Sequence, residues 1–157
     1  MCDPYLDYDA EMNGFLKAYY GGGWQYIREY IDMTTAKTGT EGRHTTIGSE
    51  MDDRAVLNLK PNEIVYMDEL WAKAKELALD EKQMLHVRRS EISWRYWKAN
   101  NRFGEFSPLG NPKGWYAENK KLYEDMKEFG VKRIRERRLM SSDPQLWQVP
   151  RLWIQTD

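Results

Sequence analysis

The chain is 157 residues long, enough for one domain that buries roughly 70% of the surface exposed by its unfolded form. Apolar residues make up 41% and aromatic residues 13%, with seven Trp and ten Tyr, which argues against disorder and for a core of few, bulky side chains. A formal net charge of −1 argues against a dedicated nucleic-acid or membrane-surface protein, and the single cysteine, Cys2, excludes an internal disulfide.

No apolar run approaches the roughly 20 residues of a transmembrane helix, and the first residues lack the basic and apolar regions of a signal peptide. Taken as it stands, the chain reads as soluble and cytoplasmic. The first predicted helix, 8–20, begins at Asp7 or Asp9, either of which can accept hydrogen bonds from unpaired backbone N–H groups. Tyr8, Met12, Phe15, Leu16 and Tyr19 then recur at three- and four-residue spacing and define one apolar face.

Gly21-Gly22-Gly23 ends that helix, and a second runs over 24–36 with Trp24, Ile27, Tyr30 and Ile31 inward. Three glycines between two such segments predict a tight antiparallel hairpin. From Thr38 to Lys60 the periodicity fails, giving a first long loop of a kind that tends to be functional or to pack on something else. A third helix, 61–79, opens at Pro61, a favourable first-turn residue, and carries Ile64, Met67, Leu70, Trp71, Ala74 and Leu77.

Asp80 caps a fourth helix, 81–101. Met84, Val87, Trp94 and Trp97 lie on one face and Leu85, Ile92, Tyr96 and Ala99 on a neighbouring stripe, so this helix is the expected centre of the bundle. Gly104 to Gly114 forms the second loop, and a fifth helix over 115–129 ends at Gly130. Val131 to Arg138 reads as a short extended segment. The tail from Pro144 to Ile154 is apolar and aromatic and must dock somewhere. The fold class expected from these elements is all-α: a five-helix bundle-like single domain over 1–157 with two long loops and an extended aromatic C-terminal tail.

Candidate chemistry is sparse. His44 and His86 are the only histidines and stand in no metal-ligand spacing, so His86 reads as a partly exposed bundle residue. Cys2 sits beside a terminus, and no Gly-x-Ser-x-Gly elbow occurs. Gly21-Gly22-Gly23 precedes a helix but lacks the following Lys-Ser or Lys-Thr of a phosphate loop. Asp68 and Glu69 are adjacent helical residues whose side chains diverge by about 100°, which suits a solvated face better than a glycosidase carboxylate pair; Asp52-Asp53 falls in the first long loop. The basic run Lys132 to Arg138 is interleaved with Glu136 and reads as a solvated or ion-paired face, with an adaptor role binding nucleic acid or an acidic protein the less favoured alternative. Trp71, Trp94 and Trp97 lie on apolar stripes and belong to the core. Trp115, Trp147 and Trp153 are less determined and are the candidate contacts for carbohydrate or a partner. No catalytic, cofactor-binding or metal residue is assigned, and no cofactor is expected.

Read together, several blocks resemble the bacterial domain of unknown function 4838, a glycoside-hydrolase-like family, in the region that follows its catalytic barrel. Asp3-Pro4-Tyr5-Leu6-Asp7-Tyr8-Asp9 resembles the family's entry into a helix. Phe15-Leu16-Lys17-Ala18-Tyr19-Tyr20-Gly21 resembles its F-L-x-x-Y-Y-G signature, followed by Ile27-Arg28-Glu29-Tyr30. Val87-Arg88-Arg89-Ser90-Glu91, Phe129-Gly130-Val131 and Ile134-Arg135-Glu136 resemble its later blocks. The chain departs from the pattern at Gly23-Trp24, where the family carries an Ala pair. The resemblance implies a non-catalytic helical module whose catalytic carboxylates belong to a preceding (β/α) barrel. Its implied partners are that barrel domain or a second copy of the module, with carbohydrate a further candidate and a membrane excluded. It also implies that the chain is part of a longer protein.

Overall fold

The computed structural model describes residues 7–39, 57–109, 112–131, 133–135 and 138–139. The first long loop therefore lies largely, and the aromatic tail wholly, outside the described residues, as do His44, Asp52-Asp53, Trp147 and Trp153. Helix α1, Tyr8–Tyr20, is capped by Asp7, whose Oδ1 accepts the Ala10 N–H at 3.1 Å. Asp9 is engaged elsewhere: it pairs with Arg28 of helix α2, Trp24–Gly39. Arg28 also donates to Asn13 Oδ1 at 2.9 Å and to Asp32 at 2.9 Å, so one guanidinium clamps the two limbs antiparallel.

The predicted hairpin is present, but its turn differs from a loop. Gly21–Gly23 form a 3-10 turn, and the reversal is made at Gly21, with φ 64° and ψ −134°. Helical winding is thus unbroken from Tyr8 to Gly39. Counted as uninterrupted runs, the described residues hold four long helical stretches, 8–39, 61–76, 81–101 and 112–128, and not the five separate ones expected. Glycine is the cause, because a left-handed residue lets the chain reverse without leaving helical hydrogen bonding.

Helix α3, Pro61–Glu76, starts with Glu63 accepting the Lys60 N–H at 2.7 Å. It stops three residues earlier than its apolar spacing predicts. Leu77 takes the C-cap, and Asp80 accepts the Gln83 N–H at 2.7 Å to open α4, Glu81–Asn101. A following helix start of its own competes with the last turn of α3. Helix α5, Pro112–Glu128, begins three residues before the expected boundary, since Pro112 suits a first helical turn. Gly130, at φ 72°, closes it as predicted, with Val131 N–H donating to Met126 C=O at 2.9 Å. The extended segment after it forms a short antiparallel ladder of β1, Arg133–Arg135, with β2, Arg138–Leu139.

Contacts divide the chain into two compact units, Met1–Glu91 and Ile92–Asp157, the division falling within α4. In the first unit α2 packs on both α1 and α3, around Leu16, Ile27, Met67, Leu70, Trp71 and Ala74. Tyr30 meets Trp71 edge-on with centroids 4.9 Å apart. In the second unit Ile92, Ala99, Phe106, Trp115, Leu122 and Met126 form one buried cluster. Trp94 and Trp97 are buried there as predicted and stack at 5.2 Å.

Candidate functional site

Burial removes Trp115 from the candidate contacts. Its indole is 3% exposed inside the second unit's cluster, so it offers no open face to a sugar. The reason is local: α5 starts at Pro112, and a residue one turn into that helix faces the core side shared with Asn119, Leu122 and Met126. Asn119, four residues on, donates its Nδ2–H to the Trp115 carbonyl at 2.8 Å. Asp68 and Glu69 stay on α3, half-buried and exposed respectively. Among the described residues no group of three or more His, Cys, Asp and Glu side chains is placed to hold a metal ion. No helix among them is long and apolar enough to cross a membrane.

Among the described residues the exposed apolar side chains include Val65 and Tyr66 on α3, Leu109 in the second loop, and two groups on the first unit that spacing alone does not reveal. On α1, Tyr8 and Phe15 were expected inward but are 65% and 59% exposed. The buried stripe is carried instead by Leu16 and Tyr20, which turn toward the side covered by the rest of the unit. Phe15 stacks on Tyr19 at 5.5 Å, and Tyr19 stacks on His86 of α4 at 3.8 Å. His86 Nδ1–H donates to the Tyr19 carbonyl at 2.7 Å, in the last turn of α1 where helical carbonyls run out of intrahelical donors. This histidine is a helix cap and a stacking partner. Tyr20 O–H and Ser90 Oγ, 2.8 Å apart, make a second link from α1 to α4.

The other exposed region is the corner between α3 and α4. Leu77, Leu79 and Leu85 are exposed there, Leu79 to 82%. Ala78, Leu79, Met84 and Leu85 line a shallow groove of about 660 Å³, with Glu81 and Arg88 also on its walls. The polypeptide is held firmly around it: Leu79 N–H donates to Gln83 Oε1 at 3.0 Å, and Gln83 in turn lies against Gly21. Periodicity counts Leu77 and Leu85 as core because it cannot tell which apolar stripe another element covers. The signal that was available is the seven-residue spacing of Glu81 and Arg88 around Met84-Leu85.

Three phenols are perturbed by their surroundings, Tyr66 being raised chiefly by its hydrogen bond to the Glu29 carboxylate. Burial pushes the Tyr30 hydroxyl well above the ordinary phenol range, and burial raises Tyr20 too, partly opposed by its hydrogen bond with Ser90. With the folded-state value above the unfolded one, the stabilisation that each phenol gives is complete below a pH of about 10 and is lost as pH rises further. In a spectrophotometric tyrosine titration, a late-ionising component is expected whose highest-pH part is lost in Tyr30→Phe. A single class of tyrosines titrating together in the native state would contradict this placement.

The comparisons add nothing to this picture: no protein-family model, no curated protein and no solved structure matches the chain.

Proposed function

We propose that this chain is a non-catalytic helical module of a glycoside-hydrolase-like protein, serving packing or oligomerisation. The observation that carries this reading is the exposed apolar corner of Leu77, Leu79 and Leu85 with its groove. Water-exposed leucines grouped around a rigid concavity are the usual mark of a surface meant to be covered. The resemblance of the Phe15-to-Gly21 block supplies the kind of protein, and a barrel domain or a second copy the kind of cover. The bundle-like arrangement of the helices suits such a covering role.

The test is twofold. Purified chain is expected to leave aryl glycosides intact, and to associate with itself or with a barrel domain of the glycoside-hydrolase-like class. Turnover abolished by a carboxylate substitution would overturn the reading. A second reading, carbohydrate binding through aromatic rings, is favoured by the exposed Tyr8 and by Phe15 braced on Tyr19. Oligosaccharide titrations that show saturable fluorescence change in the native chain and none in Phe15→Ala would decide for it.

A further inference from the structure

Opposite charges seven residues apart on a helix lie on nearly the same stripe, because seven residues make almost two full turns. On α4, Glu81 and Arg88 stand in that relation, about 10.5 Å apart along the axis, with Met84 and Leu85 between them. All four line the groove of the α3–α4 corner; Glu81 and Leu85 are exposed, while Met84 and Arg88 are half-buried. The pattern reads acid, apolar, apolar, base.

Such a stripe is complementary to itself when reversed. Two copies facing each other antiparallel, related by a two-fold axis through the midpoint of Met84 and Leu85, bring Glu81 of each chain opposite Arg88 of the other. The same operation sets Met84 and Leu85 against their counterparts. Parallel pairing would instead put like charges together, which electrostatics disfavours. We propose that this face of α4 pairs with the same face of a second copy of the chain. The inference rests on the packing reading above and commits it to one occupant.

Leu79 extends the apolar patch at the corner, and at 82% exposure it projects from the rim of a groove lined by Ala78, Met84 and Leu85 together with Asp80, Glu81 and Arg88. One patch therefore carries both a projection and a recess, as an isologous interface requires. An interface of one helix face and one corner falls at the small end of stable interfaces, so dissociation in the micromolar range is expected.

Sedimentation equilibrium of the full chain over a concentration series tests this. A monomer–dimer equilibrium is expected, with Glu81→Arg and Arg88→Glu each weakening dimerisation by roughly tenfold or more through like-charge opposition. The double variant Glu81→Arg/Arg88→Glu is expected to dimerise as the native chain does. Mixing the two single variants is expected to yield a heterodimer, since one then carries two bases and the other two acids on the stripe. Leu85→Asp, an exposed position, gives an independent apolar probe, with folding of every variant followed by circular dichroism. A chain that stays monomeric at all concentrations overturns the proposal. So does a dimer indifferent to the single reversals and to Leu85→Asp, which would leave the packing reading standing on another face. Hydrolysis of a glycoside would strike the packing reading and not the dimer.

Discussion

Gly23→Ala is expected to be among the most damaging single substitutions in the first unit. A Cβ at that position would stand 2.5 Å from the Ala74 carbonyl oxygen and 2.7 Å from the Ala74 Cα. Both are backbone atoms of α3, so relief requires the helices to move apart rather than a side chain to rotate. The Gly21–Gly23 turn and the last turns of α3 approach this closely because no side chain intervenes. Overpacking of a well-packed contact costs about 1–3 kcal/mol, and a backbone clash belongs at the upper end. Gly14 is the built-in comparison. It lies within α1, and a Cβ there meets nothing within 4 Å. Gly14→Ala is therefore expected to stabilise by about 0.5–1 kcal/mol through helix propensity alone. Thermal or urea unfolding of both variants checks the pair. Equal effects of the same sign would contradict the close approach at Gly23.

Removing one partner of the largely buried Arg95–Asp125 ion pair is expected to cost up to about 3 kcal/mol, because the remaining charge loses its opposite partner where little solvent can replace it. The two side chains, from α4 and α5 of the second unit, are only 14% and 13% exposed. The surroundings are apolar: Ile92, Leu122 and Met126 belong to the neighbouring cluster. Asp125→Asn and Arg95→Met are each expected to lower Tm sharply. The double variant Arg95→Met/Asp125→Leu is expected to recover much of the loss, since apolar replacement of a buried pair is often neutral or better. A double variant whose loss equals the sum of the singles would show that the pair contributes as independent charges. The Arg28–Asp32 pair offers the contrast: it is an i, i+4 contact at the surface, and Asp32→Asn is expected to move Tm little.

Much of the helical layout was legible from residue chemistry. Asp7 and Asp80 marked helix starts because each can accept a neighbouring N–H, and both do. Gly130 marked an end, because glycine enters the left-handed region without strain. The boundaries that moved did so through competition between neighbours: Asp80 opening α4 shortened α3, and Pro112 drew the start of α5 forward.

Surface and core were less legible. Tyr8, Phe15, Leu77 and Leu85 satisfy the same three- and four-residue spacing as Leu16, Met67 and Val87, yet the first four are exposed and the last three buried. Trp115 shows the reverse, a residue reserved for contact that lies in a core. Spacing is a property of one helix, whereas burial depends on which elements arrive from elsewhere in the chain. The Gly23–Ala74 approach and the Tyr19–His86 stack join residues more than fifty positions apart, and nothing local announces them.

Caps, glycines and a 3.6-residue period therefore settled where the helices lie and where the chain reverses, since hydrogen bonding at helix ends is satisfied within a few residues. Only long-range packing decided which apolar stripe went inward, which tryptophans were sealed, and that the leucines of the α3–α4 corner were left facing water. Helices α1, α3 and α4 carry more apolar surface than their neighbours cover, and the tertiary contacts alone select the part that is buried.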